Sequence, residues 1–232
     1  MTNQQKLENI VGNLRDAYKQ IVPGTMRHVD ELMAERRTNP YLRNQWFYPA
    51  DGNVYSLDGK ERVPTLRITR EAVNPVLKNI DDAFAQFTEN ENYQVLPTDF
   101  ETVKAASDTV SIDLTQLGLR EENDKEYQHL VIDTSKRLSK YNVEEQKLLL
   151  RIYGPTEKDC TASMQMLRDS IDKIEETRIY VLNPKYVTAN AKNNAVGRAS
   201  WLGDFYYDSF FFAFDGCVLS YIGCVRGVRV VE

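Results

Sequence analysis

From Gly203 to Val225 the chain contains no Lys, Glu, Gln, Met or Trp, although those five types supply 47 of its 232 residues. The same stretch sets seven aromatics, Phe205, Tyr206, Tyr207, Phe210, Phe211, Phe212 and Phe214, within ten positions. A half-buried strand holds apolar side chains on alternate positions only. Phe210, Phe211, Phe212 and Phe214 break that alternation, so either both faces of their segment are covered or aromatic rings stand exposed. A large exposed aromatic patch marks a binding surface. The plainer alternative is a buried hairpin closing a domain, since strands favour aromatic and β-branched residues.

The five missing types share a property of the genetic code: a codon ending in a pyrimidine encodes every amino acid except those five. Repeated Asn codons with randomised adenines would yield such a segment. Flanked by Asn193-Asn194-Ala195-Val196-Gly197-Arg198-Ala199-Ser200-Trp201-Leu202 and by Val225-Arg226-Gly227-Val228-Arg229, it resembles the variable region of proteins diversified by retroelements. The resemblance extends over roughly residues 125 to 232. It implies a C-terminal C-type lectin-like fold that displays a hypervariable ligand-binding surface, with the variable region at about 194–229. Under it, Trp201, Phe205, Ser209, Phe211, Ala213, Val218 and the Val225–Arg229 run are scaffold. Tyr206, Tyr207, Asp208, Phe210, Phe212, Phe214, Asp215, Cys217, Ser220, Tyr221 and Ile222 are the displayed contacts. Tyr and Phe suit that task, giving large contact area for little loss of side-chain entropy.

Spacing elsewhere predicts an α+β chain, with a helical and mixed support region over 1–120 and the lectin-like domain over 121–232. Leu7, Ile10, Val11, Leu14, Tyr18 and Ile21 form one helical stripe that ends before Pro23-Gly24. A second helix turns Met26, Val29, Leu32 and Met33 inward. These N-terminal helices form either an intramolecular core face or an oligomer contact. Turn dipeptides at Asp51-Gly52 and Asp58-Gly59, with the runs Val54–Leu57 and Pro64–Thr69, predict a hairpin. Helices follow from Asn74-Pro75 to about Phe87 and from Thr98 or Asp99 to about Val110.

Glu121–Glu126 is a charge-rich bridge before a strand at Leu130–Asp133. Asn142-Val143-Glu144-Glu145 is a capping-box pattern, and Gly154-Pro155 stops its helix. A further helix starts at Thr156, its apolar stripe being Cys160, Met164, Leu167, Ile171 and Ile174. A strand at Arg178–Leu182 then meets a turn at Asn183-Pro184. Strand, two helices and a β-rich C-terminus is the order of a C-type lectin-like domain. Other α+β folds share it.

The chemistry legible here is sparse. His28 and His129 stand apart with no metal-ligand spacing, and no phosphate-binding glycine loop occurs. No metal or cofactor is expected. Asp204, Asp208 and Asp215 are the only charges between Gly203 and Val225, and such isolated carboxylates are usually solvated. The calcium-ligating tripeptides of sugar-binding lectins, Glu-Pro-Asn and Trp-Asn-Asp, are absent from the sequence. Cys217 and Cys224 are the only pair for thiol-dependent oxidation of the kind some lectin-like enzymes perform, but the expected cysteine motif does not surround them. A net charge of −5 without a basic run argues against nucleic-acid binding.

The expectation is therefore a non-enzymatic display protein that binds a protein or surface ligand. The alternatives are an adhesive module with a fixed aromatic interface and, more distantly, a thiol oxidase. No signal peptide and no membrane-length apolar run is visible, which leaves virion and cell-surface locations both open.

Overall fold

The computed structural model describes residues 5, 28–40, 42, 51–70, 100–121, 125–170, 173–191, 195–198 and 209–211. The expected helices over 7–21 and 75–87 lie outside these residues, as do Met26, Trp201, Phe205 and the closing Val225–Arg229 run.

The hairpin predicted from Asp51-Gly52 and Asp58-Gly59 forms as β1 (Gly52–Asp58) and β2 (Val63–Thr69), paired antiparallel from Gly52↔Thr69 to Asp58↔Val63. Gly59, at φ 68°, supplies the left-handed turn residue, a conformation that costs a side chain with a Cβ. This hairpin is the centre of a four-stranded sheet. β3 (Val110–Asp113) flanks β2, and β7 (Ala195–Arg198) flanks β1. The second sheet runs β4 (Leu119–Glu121), β5 (Tyr127–Asp133), β6 (Glu176–Leu182) and β8 (Ser209–Phe211).

Five helices accompany the sheets among the described residues: α1 (Val29–Thr38), α2 (Phe100–Ala105), α3 (Val143–Tyr153), α4 (Glu157–Arg168) and α5 (Pro184–Asn190). The Asn142 carboxamide accepts the Glu145 N–H at 2.9 Å while the Glu145 carboxylate accepts the Asn142 N–H at 3.0 Å, which completes the capping box on α3. Gly154 ends that helix at φ 148°. A Cβ there would meet the Asp159 Cβ at 2.3 Å, so only glycine lets α4 begin so close behind α3. The Thr156 hydroxyl accepts the Asp159 N–H at 3.2 Å and starts α4.

Three local expectations are corrected. The helix expected to run to Val110 ends at Ala105, where the Thr109 hydroxyl donates to the Val103 and Ala106 carbonyls. That closes the last turn and frees Val110 and Ile112 for β3. The α4 stripe stops at Arg168; Ile174 still reaches the core, but after a turn in which its N–H donates to the Leu167 carbonyl. Asn183-Pro184 is a helix start as well as a turn, since Pro occupies the first position of α5 and the Asn183 side chain accepts the Lys185 N–H at 2.9 Å.

The apolar interior is one cluster. Val29, Leu32 and Met33 of α1 and Tyr55, Leu66 and Ile112 of the first sheet join Leu148, Leu149 and Ile152 of α3 and Leu130 and Ile179 of the second. Residues on both sides of position 120 thus share a single core. α1, α3 and α4 pack on one another, α3 reaches β3, and α5 lies on β1.

A charged seam fastens α1, the first sheet and α3. Asp51 is almost wholly buried: its carboxylate accepts the Val29 N–H at 2.9 Å and lies 3.5 Å from the Arg151 guanidinium and 3.4 Å from His28 Nδ1. Arg151 also reaches Asp108 at 3.2 Å, and Arg70 pairs with Asp30 at 2.6 Å and Glu31 at 2.9 Å. Burial pushes the Asp108 carboxyl up, but the Thr69 hydroxyl, the Arg70 N–H and the Arg151 charge together hold it below the usual value. Burial raises Asp30, with Arg70 opposing.

A carboxyl lowered in the folded state stabilises above its unfolded pKa, and that stability is lost as pH falls through the folded value. Asp133 and Asp159, lowered chiefly by hydrogen bonds from Ser135 and Thr156, act in the same direction. Asp30 acts the other way: its raised carboxyl erodes stability as pH rises through the window just above the ordinary Asp value. We therefore expect the urea midpoint to drop as pH falls below about 4, and Asp108→Asn to make that drop shallower. An unchanged slope in the variant would remove Asp108 from this account.

Candidate functional site

The anomalous segment joins the frame at two points. Before it, β7 pairs antiparallel with β1, from Asn53↔Arg198 to Ser56↔Ala195. Within it, β8 pairs in parallel with β6, as Arg178↔Ser209, Ile179↔Phe210 and Tyr180↔Phe211. The chain therefore leaves the first sheet at Arg198 and enters the edge of the second at Ser209. Residues 199–208, including Tyr206, Tyr207 and Asp208, lie between the two strands in sequence and outside the described residues.

Of the eleven expected contact positions, Phe210 alone falls among the described residues, as the middle residue of β8. Tyr206, Tyr207, Asp208, Phe212, Phe214, Asp215, Cys217, Ser220, Tyr221 and Ile222 lie outside them, as does Cys224. Residues opposite one another in a ladder share a face of the sheet. The register thus puts position 210 on the face of Ile179, which is fully buried, and positions 209 and 211 on the face of Arg178 and Tyr180.

The second sheet has two chemically distinct faces. Thr177, Ile179 and Val181 of β6 and Leu130 and Ile132 of β5 point into the core, as their burial shows. Glu176 and Arg178 are exposed and Tyr180 is half-buried. Across the ladder His129 stands opposite Tyr180, Arg120 opposite His129, and Val131 opposite Arg178. The His129 and Tyr180 rings lie 5.5 Å apart, tilted by 40°. This face carries two exposed arginines and an aromatic pair in which Tyr180 is half-buried and His129 buried.

Such a face supplies stacking area, hydrogen bonds and positive charge, which are the means of binding. Of these four residues the sequence singles out His129 alone, and only to set it aside as a metal ligand. The signal for them was the period-two pattern of Glu176–Leu182; what placed Arg120 and His129 beside it is pairing between strands remote in the chain.

Among the described residues no group of His, Cys, Asp and Glu is arranged to hold a metal ion. Cys160, inside the core, has its thiol pushed up to about 12 by burial, with the Glu157 charge adding to the effect, the opposite of an activated nucleophile. No helix among the described residues is long and apolar enough to cross a membrane.

No family model and no curated protein matches the chain. Among solved structures, it is similar to one described as the accommodation of massive sequence variation in Nanoarchaeota by the C-type lectin fold. The two are 13% identical, with a TM-score of 0.50 and 83% of each chain covered. The chain therefore has a mixed helix and sheet architecture of C-type lectin-like fold. A share of 83% of 232 residues is about 193, more than residues 121–232 contain, so the likeness reaches into 1–120.

Proposed function

We propose that this protein is a ligand-binding module that displays a hypervariable surface at about 194–229 on its C-type lectin-like frame, and that a retroelement diversifies this surface. Binding, not catalysis, is its role, and the ligand is a protein or a surface component. The observation that carries the reading is the pairing of β7 with one sheet and β8 with the other. A segment of unusual composition is held at both points by strands whose own residues are ordinary. Missing Lys, Glu, Gln, Met and Trp within it support diversification through pyrimidine-ended codons. Residues 1–120 complete the frame, since α1 and the first three strands share its core.

In this reading Tyr206, Tyr207, Asp208, Phe212, Phe214, Asp215, Cys217, Ser220, Tyr221 and Ile222 are contacts free to vary. Phe210 belongs to the same set by composition, and its backbone pairs with Ile179 of β6. The outward row of Arg178 and Tyr180 forms a constant border to the variable surface.

A library randomised at those ten positions with pyrimidine-ended codons tests this. Most members should fold, each single change costing less than about 0.5 kcal/mol, and selection against an arbitrary immobilised protein should yield binders. General unfolding of the library would instead assign the aromatics to a fixed interface. In the encoding DNA, an imperfect repeat differing mainly at adenines should lie beside a reverse transcriptase gene.

A further inference from the structure

A cleft of about 1070 Å³ opens between the turn after β5 and the outward side of α4. Its rim carries Lys136 and Arg137 on the turn and Lys158 and Arg168 on the helix, against a single lining acid, Glu157. Lys158, Thr161, Gln165 and Arg168 recur at steps of three, four and three residues, so they form one stripe of α4 opposite the buried Cys160 and Leu167. Met164 lies at the floor, buried, beside the exposed Ala162.

None of the four cations makes a close ion pair with a described residue. Among the described residues no carboxylate lies within ion-pair distance of any of them, and Arg168 Nε is buried with no hydrogen-bond partner. The acids close by make their short contacts elsewhere. The Asp133 carboxylate accepts from the Ser135 N–H and hydroxyl at 2.8 and 2.6 Å; Asp159 bonds Thr156 at 2.6 Å and pairs with Arg37 at 3.5 Å; Asp169 accepts from the Gln165 amide at 2.8 Å. Lys136 lies 4.1 Å above the Tyr141 ring, a contact that positions the ammonium without neutralising it. Asp133 and Asp159 offset part of the Lys136 and Lys158 charge at longer range, but with no close ion pair the four cations leave a cleft that favours an anionic ligand.

Size and floor narrow the class. From Lys158 to Arg168 the helix rises about 15 Å, too far for one phosphate-sized ion to bridge but the length of about five residues of extended peptide. An apolar floor at Met164 and Ala162 has no use in binding a fully sulfated sugar chain. It does suit the side chains that alternate with carboxylates in an acidic peptide. We propose that this cleft binds an extended acidic segment of a protein partner, independently of the variable surface.

The test uses the full chain and an eight-residue peptide alternating Glu with Leu, alongside the same peptide with Gln for Glu and a sulfated tetrasaccharide. The Glu peptide should bind, the Gln peptide should bind at least about tenfold more weakly, and affinity should fall steeply with salt. The double variant Lys136→Glu/Arg168→Glu should lose about tenfold or more. Lys158→Glu, at an exposed position, gives the same reading should the double variant fold poorly. Equal binding of the two peptides, indifference to the charge reversals, or binding of the sulfated sugar in place of the peptide would each overturn the proposal.

Discussion

Replacing Arg151 with Met is expected to destabilise the protein by about 3–5 kcal/mol, measured by urea unfolding at neutral pH. Arg151 is the shared cation of Asp51 and Asp108, at 3.5 and 3.2 Å, and its own side chain is only 11% exposed. Removing it leaves the Asp51 carboxylate, with 1% of its side chain exposed, with the Val29 N–H and His28 as its partners among the described residues. The cost is that of an unpaired buried charge, which exceeds what the pair itself contributes. Adding Asp51→Asn to Arg151→Met should therefore recover part of the loss, and a double-mutant cycle should show coupling above about 1 kcal/mol. A single-variant loss under about 1 kcal/mol would mean that solvent screens the seam. It would then not be what fastens α1 and the first sheet to α3.

The second large effect concerns how far the core acts as one unit. Tyr55 sits in the middle of β1, opposite Leu66 on one side and Val196 on the other, with no exposed surface. Tyr55→Ala should cost about 3–5 kcal/mol, by analogy with other buried aromatic truncations. Cys160, from the far half of the chain, is buried in the same cluster. Its thiol, pushed up to about 12 by burial, stays unreactive until the core opens.

Two-state behaviour then predicts that labelling of Cys160, mapped by peptide mass, and loss of the circular dichroism signal share one urea midpoint. Tyr55→Ala should move both together. Cys160 labelling that ignores the substitution would split the chain into independent units near position 120. A shared shift bears on function as well, because β1 is the strand to which β7 is paired, and β7 leads into the variable segment.

Local signals were read well where their cause is local. Asn142, Glu145, Gly154 and Thr156 act within one helical turn, and the capping bonds they make are complete without the rest of the protein. The Val29, Leu32 and Met33 stripe and the β1–β2 hairpin were legible for the same reason. The sequence misleads where a local pattern has two outcomes. Thr109 can continue a helix or close one, and Asn183-Pro184 can turn the chain or start a helix; neighbours remote in sequence chose between them.

At the site the division is sharper. Composition alone marked Gly203–Val225 as unusual, since which residue types a stretch lacks is a property of its sequence and of its codons, independent of any contact. Composition could not say which strand that stretch would pair with, nor that Phe210 would fall opposite Ile179. The row of Arg120, His129, Arg178 and Tyr180 was equally hidden, because two of its strands are separated in the chain by both α3 and α4.

By itself, then, the amino-acid order determined the helix starts and stops, the hairpin and the anomalous segment, all of which arise from interactions a few residues long. Only the tertiary structure decided that residues from both halves share one core, that Asp51, Asp108 and Arg151 meet, and that β7 and β8 enter different sheets. Those outcomes depend on burying surfaces remote in the chain against each other. Many pairings satisfy a strand's own hydrogen bonds, and the common core selects among them.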